Sequence, residues 1–356
     1  MRMRKRKVVV AMSGGVDSSV AAGLLVEQGY DVQGVSLRMW EGAKLGPRTC
    51  SDHRGAKDVA AMLNIPHTLL DLRSHFVEAV VKPFAGDYLR GRTPNPCIAC
   101  NRDFKLGALL DWAKRQGADY VATGHYARIA RSDRNRQCSI FRGADRLKDQ
   151  TYFLFALSQD QLAHTLFPLG GMRKTDVREQ AARMGLPVAE KPESQDICFG
   201  DYRMLVESYA GENELGGGDI VDRTGTVLGR HDGIYGLTVG QRKGLGVSAP
   251  QPLYVLEIEE RSRRVVVGTK DELGCDGLIA QGVNWIGSPD GEESAAEVQI
   301  RYRSPAIPCT IRALRRDSCE VYFDDAYPSV TPGQAAVFYR GDRLLGGGWI
   351  ERTIRM

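Results

Sequence analysis

Residues 8–19 read Val-Val-Val-Ala-Met-Ser-Gly-Gly-Val-Asp-Ser-Ser, and this stretch decides the fold class. The apolar run predicts a buried strand, the glycine pair a turn, and the serines the start of a helix. Such a turn lets backbone N–H groups approach a phosphate, and the helix N-terminus adds the positive end of its dipole. An ordinary tight turn capped by Asp17 or Ser18 is the structural alternative, but the complete Ser-Gly-Gly-x-Asp-Ser-Ser string favours a nucleotide site.

The loop differs from a Walker phosphate loop because no Gly-Lys-Ser/Thr follows it at the required spacing. It therefore lacks the lysine that holds the terminal phosphates in that motif. Instead it resembles the PP-loop of enzymes that release pyrophosphate from ATP and leave AMP on an oxygen of the substrate. Adenylation makes that oxygen a good leaving group, so that a nucleophile can replace it.

Strands and helices alternate through the N-terminal part of the chain. Short apolar runs predict strands at 8–12, 31–37, 67–72 and 120–123. Helical spacing predicts helices at 18–28, 51–63 and 104–116. Gly29 is placed as a helix C-cap, and Ser51 or Asp52 as an N-cap. This order predicts an α/β fold with a parallel sheet and helices on both of its faces.

From about residue 211 the pattern changes to short alternating segments separated by turn signals. The segments 253–258 and 264–268 predict a hairpin. Further strands are predicted at 297–303, 309–314, 320–323 and 335–339. We therefore predict three domains: a PP-loop domain at 1–210, a small β-rich central domain at 211–275 and a C-terminal β-barrel at 276–356.

Composition is that of an ordinary globular protein, with 42% hydrophobic and 26% charged residues. The formal net charge of +4 is compatible with a polyanionic partner but too small to establish one. A chain of this size does not need disulfides, so its eight cysteines predict reduced thiols and a cytoplasmic setting. The basic start lacks the apolar core of a signal peptide, and no stretch approaches the length of a membrane span.

Two segments carry cysteines in distinctive surroundings. Residues 91–101 read Gly-Arg-Thr-Pro-Asn-Pro-Cys-Ile-Ala-Cys-Asn, and residues 194–199 read Ser-Gln-Asp-Ile-Cys-Phe. Further motifs are Ala-Thr-Gly-His-Tyr at 122–126, Lys-Asp-Gln at 148–150, Gly-Gln-Arg-Lys-Gly-Leu-Gly at 240–246 and Thr-Pro-Gly-Gln at 331–334. In this order, and together with the PP-loop, they resemble the tRNA-specific 2-thiouridylase family over nearly the whole chain. The fold implied is a PP-loop (adenine nucleotide alpha hydrolase-like) domain followed by the central domain and barrel.

The resemblance implies a specific chemistry. ATP, as magnesium-ATP, would adenylate O2 of the uridine at the wobble position (U34) of tRNA. Cys198 would receive a persulfide from a sulfur carrier protein, and its terminal sulfur would attack C2. Cys100 would then release that sulfur, leaving a Cys100–Cys198 disulfide. Thiolates are competent for both sulfur carriage and exchange. Most other cysteines are predicted to be small buried hydrophobes, namely Cys138, Cys275, Cys309 and Cys319; Cys50 stays open.

The same resemblance implies binding residues. Those expected to contact ATP are Ala11, Met12, Ser13, Gly14, Gly15, Val16, Asp17, Ser18, Leu37 and Gly124. Those expected to contact tRNA are Asn95, Pro96, Cys97, His125, Lys148, Asp149, Gln150, Arg301, Tyr302 and Gln334. Of these, the first three would border a flipped-out target base. Without the resemblance, Leu37 is a core residue, His125 a structural histidine and 301–303 a strand with solvated arginines.

Cys97 departs from the family pattern, which often has an acidic residue there with a base-like role. Cys97, Cys100 and Cys198 could instead be three thiolate ligands of an iron–sulfur cluster with an open iron site. The Cys-x-x-Cys spacing alone also occurs in zinc and redox sites. Iron content and colour of protein purified without oxygen distinguish the cluster from a persulfide without metal.

Two other functions are compatible with parts of the sequence. A PP-loop amidotransferase or synthetase would use the same ATP loop but would not need Cys100 or Cys198, so cysteine-to-serine variants would keep their activity. A non-catalytic tRNA-binding protein would bind tRNA without converting ATP to AMP. The intact 13–19 loop argues against the latter. We expect no membrane association and a monomer.

Overall fold

The computed structural model describes residues 4–40, 52–134, 136–191, 201–211, 214–287, 291–315 and 317–355. They belong to two compact units. The first lies within 1–79, 97–200 and 342–344, and the second within 80–96, 201–341 and 345–356. The domain boundaries expected at 210 and 275 stay predictions. Among the described residues, no helix is long and apolar enough to span a membrane.

Seven strands, β1 to β7, lie within the described residues of the first unit, and five of them form one sheet. The strands are β1 (Lys7–Ala11), β2 (Asp31–Arg38), β3 (His67–Asp71), β4 (Tyr120–Ala122), β5 (Ala127–Arg131), β6 (Cys138–Arg142) and β7 (Thr165–Leu166). The sheet has the order β3-β2-β1-β4-β7, and each neighbouring pair is parallel. The predicted parallel sheet is confirmed. Because β1 lies at its centre, the loop that follows β1 is at the middle of the sheet's carboxyl edge.

Nine α-helices are described. They are α1 (Val16–Glu27), α2 (His53–Met62), α3 (Arg73–Phe76), α4 (Lys82–Leu89), α5 (Pro96–Ala99), α6 (Leu109–Arg115), α7 (Gln159–Ala163), α8 (Lys174–Arg183) and α9 (Tyr202–Tyr209). Wide π-type turns occupy Val77–Val81 and Cys100–Ala108, and short 3₁₀ turns occupy Thr151–Phe153, Ile234–Gly236 and Lys270–Leu273. The helix expected at 104–116 was wrong in its start, because helical structure begins at α5 and continues through the π-type turns.

Apolar side chains of α1, α2 and α8 pack against the central strands of the sheet. Val8 and Val10 of β1 have no exposed surface, and Val20 of α1 and Val177 of α8 are equally buried. Burying these side chains supplies the main favourable free energy of folding for this layer. Asp52 caps α2 by accepting a hydrogen bond from the Gly55 N–H at 3.0 Å, as predicted from the sequence.

An antiparallel hairpin of β5 and β6 also belongs to the first unit. The sequence did not predict it. In this hairpin Phe141 and Ile140 pair with Arg343 and Leu344, which are counted with the same unit.

The second unit contains a small four-stranded sheet. Its strands are β8 (Gly218–Val221), β9 (Val227–His231), β10 (Tyr254–Glu259) and β11 (Arg264–Gly268), in the order β10-β11-β8-β9. The predicted hairpin of β10 and β11 is confirmed. The core beneath this four-stranded sheet is formed by branched side chains, among them Ile220, Val255 and Val265, none of which has exposed surface.

The second unit also contains a closed β-barrel. Its strands are β12 (Gly274–Trp285), β13 (Glu293–Gln299), β14 (Ile307–Arg315), β15 (Ser318–Pro328), β16 (Ala335–Arg340) and β17 (Arg343–Ile354). They follow the order β12-β15-β14-β13-β16-β17, and pairing of β12 with β17 closes the barrel. The predicted barrel is confirmed. The strand expected at 297–303 was wrong at its end: β13 stops at Gln299, and Arg303 has a φ of +72° in the turn that follows.

Candidate active site

The segment after β1 is shaped by close contacts of its backbone. Gly14 has a φ of +74°, and a Cβ there would lie 2.3 Å from the Asp52 carbonyl oxygen. Only glycine therefore fits at this position. The Ser13 carbonyl accepts a hydrogen bond from the Asp52 N–H at 2.9 Å. Since N–H and C=O point in opposite directions across a trans peptide, the Gly14 N–H points away from Asp52.

Lys191 holds the peptide between Gly14 and Gly15 by binding its carbonyl oxygen. Its ammonium donates to the Gly14 carbonyl at 2.9 Å and to the Asp52 carboxylate at 2.7 Å. The hydrogen bond from Lys191 is the largest cause that lowers the pKa of Asp52. The two carbonyls of the turn are thus occupied, and the N–H groups of Gly14 and Gly15 point to the opposite side, where a phosphate can accept from them.

Hydroxyl groups complete the turn at the start of α1. Ser18 Oγ accepts from the Ser13 N–H at 3.2 Å and lies 3.3 Å from Ser13 Oγ. Ser19 Oγ donates to the Gly15 carbonyl at 2.9 Å. Among the described residues, no side chain caps this helix at Gly15. The first amides of α1 and the exposed Ser13 hydroxyl therefore form a concave group of donors suited to an anion.

Asp17, in the first turn of α1, is the centre of a polar cluster. The Lys174 ammonium lies 2.7 and 2.8 Å from its two carboxylate oxygens, and the Tyr126 hydroxyl donates to it at 2.7 Å. The ammonium also lies 5.7 Å from the centroid of the Tyr126 ring. Lys174 is only 8% exposed. An ammonium group held by a carboxylate therefore lies directly beside the turn at 13–19, named the phosphate-binding turn for its expected role.

Lys174 and Lys191 were missed by the sequence analysis. Lys174 is the first residue of α8, where the helix dipole disfavours a cation. This unfavourable position is the signal that could have marked it. Lys191 carries no comparable local signal. Lys174 lies beside the turn and is paired with Asp17, whereas Lys191 binds the Gly14 carbonyl on the side opposite to the Gly14 and Gly15 N–H groups.

The structure brings Gly124 to the same turn. It follows β4, and a Cβ on it would lie 2.8 Å from both the Asp17 carbonyl carbon and the Ser18 nitrogen. Other residues expected at the nucleotide are buried: Met12 (1% exposed) directly follows β1, Leu37 (4%) lies near the carboxyl end of β2, and Val16 (3%) is the first residue of α1. Their contacts with ATP stay predictions.

Cys100 lies at the same edge of the sheet. Its Sγ is 3.8 Å from the sulfur of Met39, which directly follows Arg38, the last residue of β2. Because β2 is the neighbour of β1, the Cys100 sulfur and the phosphate-binding turn are both at the carboxyl edge of the sheet. Next to it, the buried Asn101 has a side-chain oxygen without a hydrogen-bond partner in the described part of the chain.

Two other cysteines, Cys97 and Cys198, belong to the predicted sulfur chemistry. Cys97 is exposed on α5. Cys198 lies outside the described residues, so its distance from Cys100 stays a prediction. Within the described residues, no group of three or more His, Cys, Asp or Glu side chains is placed to hold a metal ion. The iron–sulfur hypothesis needs Cys198 as a ligand and therefore stays a prediction too.

Several residues expected to contact tRNA already have partners within the first unit. The Asp149 carboxylate accepts from Arg142, Gly143 and Thr151 at 3.1, 2.9 and 2.7 Å. Gln150 accepts from the Tyr126 N–H at 3.0 Å. The neighbouring Lys148 is half-buried. Roles of this segment in tRNA binding stay predictions.

His125 is buried as well, at 7% exposure. Its Nδ1 lies 2.7 Å from Thr123 Oγ1, and burial lowers its pKa to about 3. The ring is therefore neutral at physiological pH.

In the second unit, Arg301 and Tyr302 lie in the turn after β13, where the Arg303 guanidinium is 5.7 Å from the centroid of the Tyr302 ring. Arg301 is exposed, and Tyr302 is half-buried. The Gln334 amide instead donates to the Thr93 carbonyl at 2.7 Å. The turn thus presents cationic and aromatic groups, whereas Gln334 is engaged within the protein.

Comparison with known proteins identifies the family. Profiles match at residues 6–201 (tRNA methyl transferase HUP domain), 205–269 (tRNA methyl transferase PRC-barrel domain) and 275–350 (aminomethyltransferase beta-barrel domain). A tRNA-specific 2-thiouridylase MnmA from Geotalea uraniireducens is 49% identical over 99% of this chain and 96% of its own length. The chain belongs to the tRNA-specific 2-thiouridylase family.

Other 2-thiouridylases are equally similar. The protein of that name from Syntrophotalea carbinolica is 49% identical over 98% of this chain and all of its own length. That from Geobacter metallireducens is 48% identical over 98% of both chains. The resemblance inferred from the sequence motifs is confirmed. The three matched profiles also agree with the parallel sheet, the small central sheet and the barrel.

Proposed function

We propose that this protein is an ATP-dependent sulfurtransferase that replaces O2 of the wobble uridine (U34) of tRNA by sulfur. The family membership supports the reaction class. The observation that carries the proposal is the position of Cys100: its sulfur lies at the same sheet edge as the phosphate-binding turn. A nucleotide loop alone would fit many adenylating enzymes, whereas a thiol at that edge fits sulfur chemistry.

In the first step, uridine O2 attacks the α-phosphorus of magnesium-ATP, and the bond to pyrophosphate breaks. The N–H groups of Gly14 and Gly15 and the Ser13 hydroxyl would bind the phosphates. Lys174 would stabilise the negative charge that develops on them, because a preorganised cation acts strongly in a site of low dielectric constant. Asp17 would hold the Lys174 ammonium in position, as it does in the structure.

In the second step, the terminal sulfur of a Cys198 persulfide attacks C2, and AMP leaves with the former O2. The Cys100 thiolate then attacks Cys198 Sγ, which breaks the sulfur–sulfur bond and releases 2-thiouridine. The product on the protein is a Cys100–Cys198 disulfide. Two external thiol groups must supply the two electrons that reduce it before the next cycle. Contacts of Asn95, Pro96 and Cys97 with the flipped base belong to this proposal.

The partners follow from the same chemistry. A persulfide-donating carrier protein would load Cys198, and tRNA would be bound by Arg301, Tyr302 and the residues at 148–150. A cluster held by Cys97, Cys100 and Cys198 is the alternative form of sulfur delivery. A monomer located in the cytoplasm is the expected setting.

The test is a reconstituted reaction. Purified protein is incubated with unmodified tRNA, magnesium-ATP and a persulfide source, and the nucleosides are analysed by mass spectrometry. The expected product is one uridine in which sulfur has replaced oxygen, with AMP formed in equal amount. Cys198→Ser and Cys100→Ser should both lose this product.

Two outcomes would contradict the proposal. Unchanged tRNA, both without oxygen and after iron–sulfur reconstitution, would refute sulfur transfer. If Cys198→Ser and Cys100→Ser both still formed AMP and an amide product at the wild-type rate, the protein would instead be an amide synthetase. Activity from colourless protein without iron would remove the cluster alternative.

A further inference from the structure

The segment Gly91–Thr93 is held in an irregular conformation between α4 and α5. Gly91 has a φ of +73°, and a Cβ there would lie 2.4 Å from Cγ2 of Ile258. Its N–H donates to the Tyr88 carbonyl at 2.9 Å. The Arg92 N–H also donates to the end of α4, to the Asp87 carbonyl at 2.9 Å, whereas both backbone groups of Thr93 are bound by distant residues of the second unit.

The barrel pairs with both backbone groups of Thr93. The Thr93 N–H donates to the Pro332 carbonyl at 2.9 Å, and its carbonyl accepts from the Gln334 amide at 2.7 Å. Gly333 brings the two backbones together, because a Cβ there would lie 2.9 Å from the Thr93 nitrogen. The turn itself is tied to β17, since the Ile350 N–H donates to the Gln334 carbonyl at 2.8 Å.

Arg92 makes a second connection to β17. Its guanidinium lies 2.7 Å from the Glu351 carboxylate and donates to the Ile350 carbonyl at 3.1 Å. The two side chains are 25% and 38% exposed. An ion pair this accessible contributes little to stability. It does fix the direction of Arg92, because one guanidinium binds both a carboxylate and a backbone carbonyl.

The chain after Thr93 is stiff. Pro94 and Pro96 each have φ fixed near −65°, and the residues before them, Thr93 and Asn95, are restricted as well. Because few backbone torsions are free here, we expect a displacement at Thr93 to shift 95–97 as well. Those residues are the ones proposed to border the target base, and Cys100 follows three positions later.

We propose that Arg92, Glu351 and Gln334 are positioning residues through which the barrel sets the place of the base-binding segment 95–97. This inference rests on the proposed function, since it assigns a role within uridine thiolation. Gln334 would act on the segment through its hydrogen bond to the Thr93 carbonyl.

The test compares Arg92→Met, Glu351→Gln and Gln334→Glu with a matched control, Arg312→Met. The control removes another barrel ion pair, Arg312–Glu293, whose side chains are 56% and 64% exposed. At saturating tRNA and ATP we expect each of the three variants to lower kcat about tenfold, within the range caused by small misplacements of reacting groups. KM for tRNA, ATP affinity and Tm should stay close to those of the control.

A conservative substitution adds a stricter criterion. Arg92→Lys keeps a cation that can donate to the Glu351 carboxylate or to the Ile350 carbonyl, so its kcat should be at least about threefold higher than that of Arg92→Met. A lowered Tm or tRNA affinity with unchanged kcat would overturn the proposal and indicate a structural or RNA-contacting role. A kcat of Arg92→Lys as low as that of Arg92→Met would also count against it.

A second readout does not depend on catalysis. The rate at which Cys97 is alkylated, measured by peptide mass spectrometry, should change at least about threefold in Arg92→Met and Gln334→Glu but not in Arg312→Met, since thiol reactivity follows the surroundings of the sulfur. Equal rates in all variants would refute the positioning role. If wild-type protein proved inactive on tRNA, the proposed function would fail, and these rates would still decide whether the barrel positions the segment.

Discussion

The barrel core and the carboxyl edge of the parallel sheet both contain buried cysteines, but their surroundings differ. Cys309 and Cys319 are 3% and 0% exposed on barrel strands, and burial raises the pKa of each thiol to about 12. At neutral pH their thiolate fraction is about 10⁻⁵. Cys100 is 7% exposed, yet it starts a π-type segment beside Met39 at the sheet edge. Depth of burial alone therefore does not separate the cysteine that we propose to be reactive from the barrel cysteines that we expect to be inert; the proposed difference is their position in the fold.

The largest expected effect separates the two kinds of cysteine directly. Cys100→Ser should lower tRNA thiolation by at least about 100-fold, because the loss of a group that takes part in bond exchange cannot be compensated by binding. Cys309→Ala, measured in the same assay, should retain activity within about twofold. Comparable losses in the two variants would remove the distinction.

A smaller effect is expected at the phosphate-binding turn. Lys174→Met should lower tRNA-dependent AMP formation by about tenfold to 100-fold, because the turn loses its fixed cation and Asp17 is left uncompensated. Lys114→Met is the control, since it breaks an ion pair with Asp160 whose side chains are 37% and 64% exposed. Full activity of Lys174→Met would show that the sheet edge does not need this charge.

The buried barrel thiols should make the free energy of unfolding depend on pH in the alkaline range. A buried thiol with a raised pKa keeps its proton in the folded state, whereas the unfolded chain ionises near pH 9. The free energy of unfolding should therefore fall as pH rises from about 9 to about 12, by about 1.4 kcal/mol per pH unit for each such thiol. Urea titrations of wild type and Cys319→Ala should diverge over this range. Parallel curves would mean that this thiol is not protected.

The smallest expected effect concerns His125, a buried ionisable group at the sheet edge. Because burial lowers its pKa to about 3, its ionisation should not appear in the pH dependence of kcat/KM between pH 5 and pH 8. The profile of His125→Gln should have the same shape as that of wild type. Loss of an inflection near pH 6 in the variant would place a titrating histidine at the site.

Local sequence patterns were sufficient for the framework. Alternation of strands and helices, the glycine turn at 13–19 and the hairpin at 254–268 depend on neighbours in the chain, and the structure contains all of them. The predicted strand through Arg303 failed because alternation of charge and ring continued past Gln299, where hydrogen bonding ends. Lys174, Lys191 and the Arg92–Glu351 pair were missed, since their partners lie 157, 177 and 259 positions away.

Lys191 has a further consequence for Cys198, the cysteine proposed to carry sulfur. Its ammonium is bound to the Gly14 carbonyl, and seven peptide links separate the two residues in the sequence. A fully extended chain of that length spans about 25 Å between its end Cα atoms. In the proposed reaction, a carrier protein would therefore have to deliver the persulfide within about that distance of the Lys191 backbone.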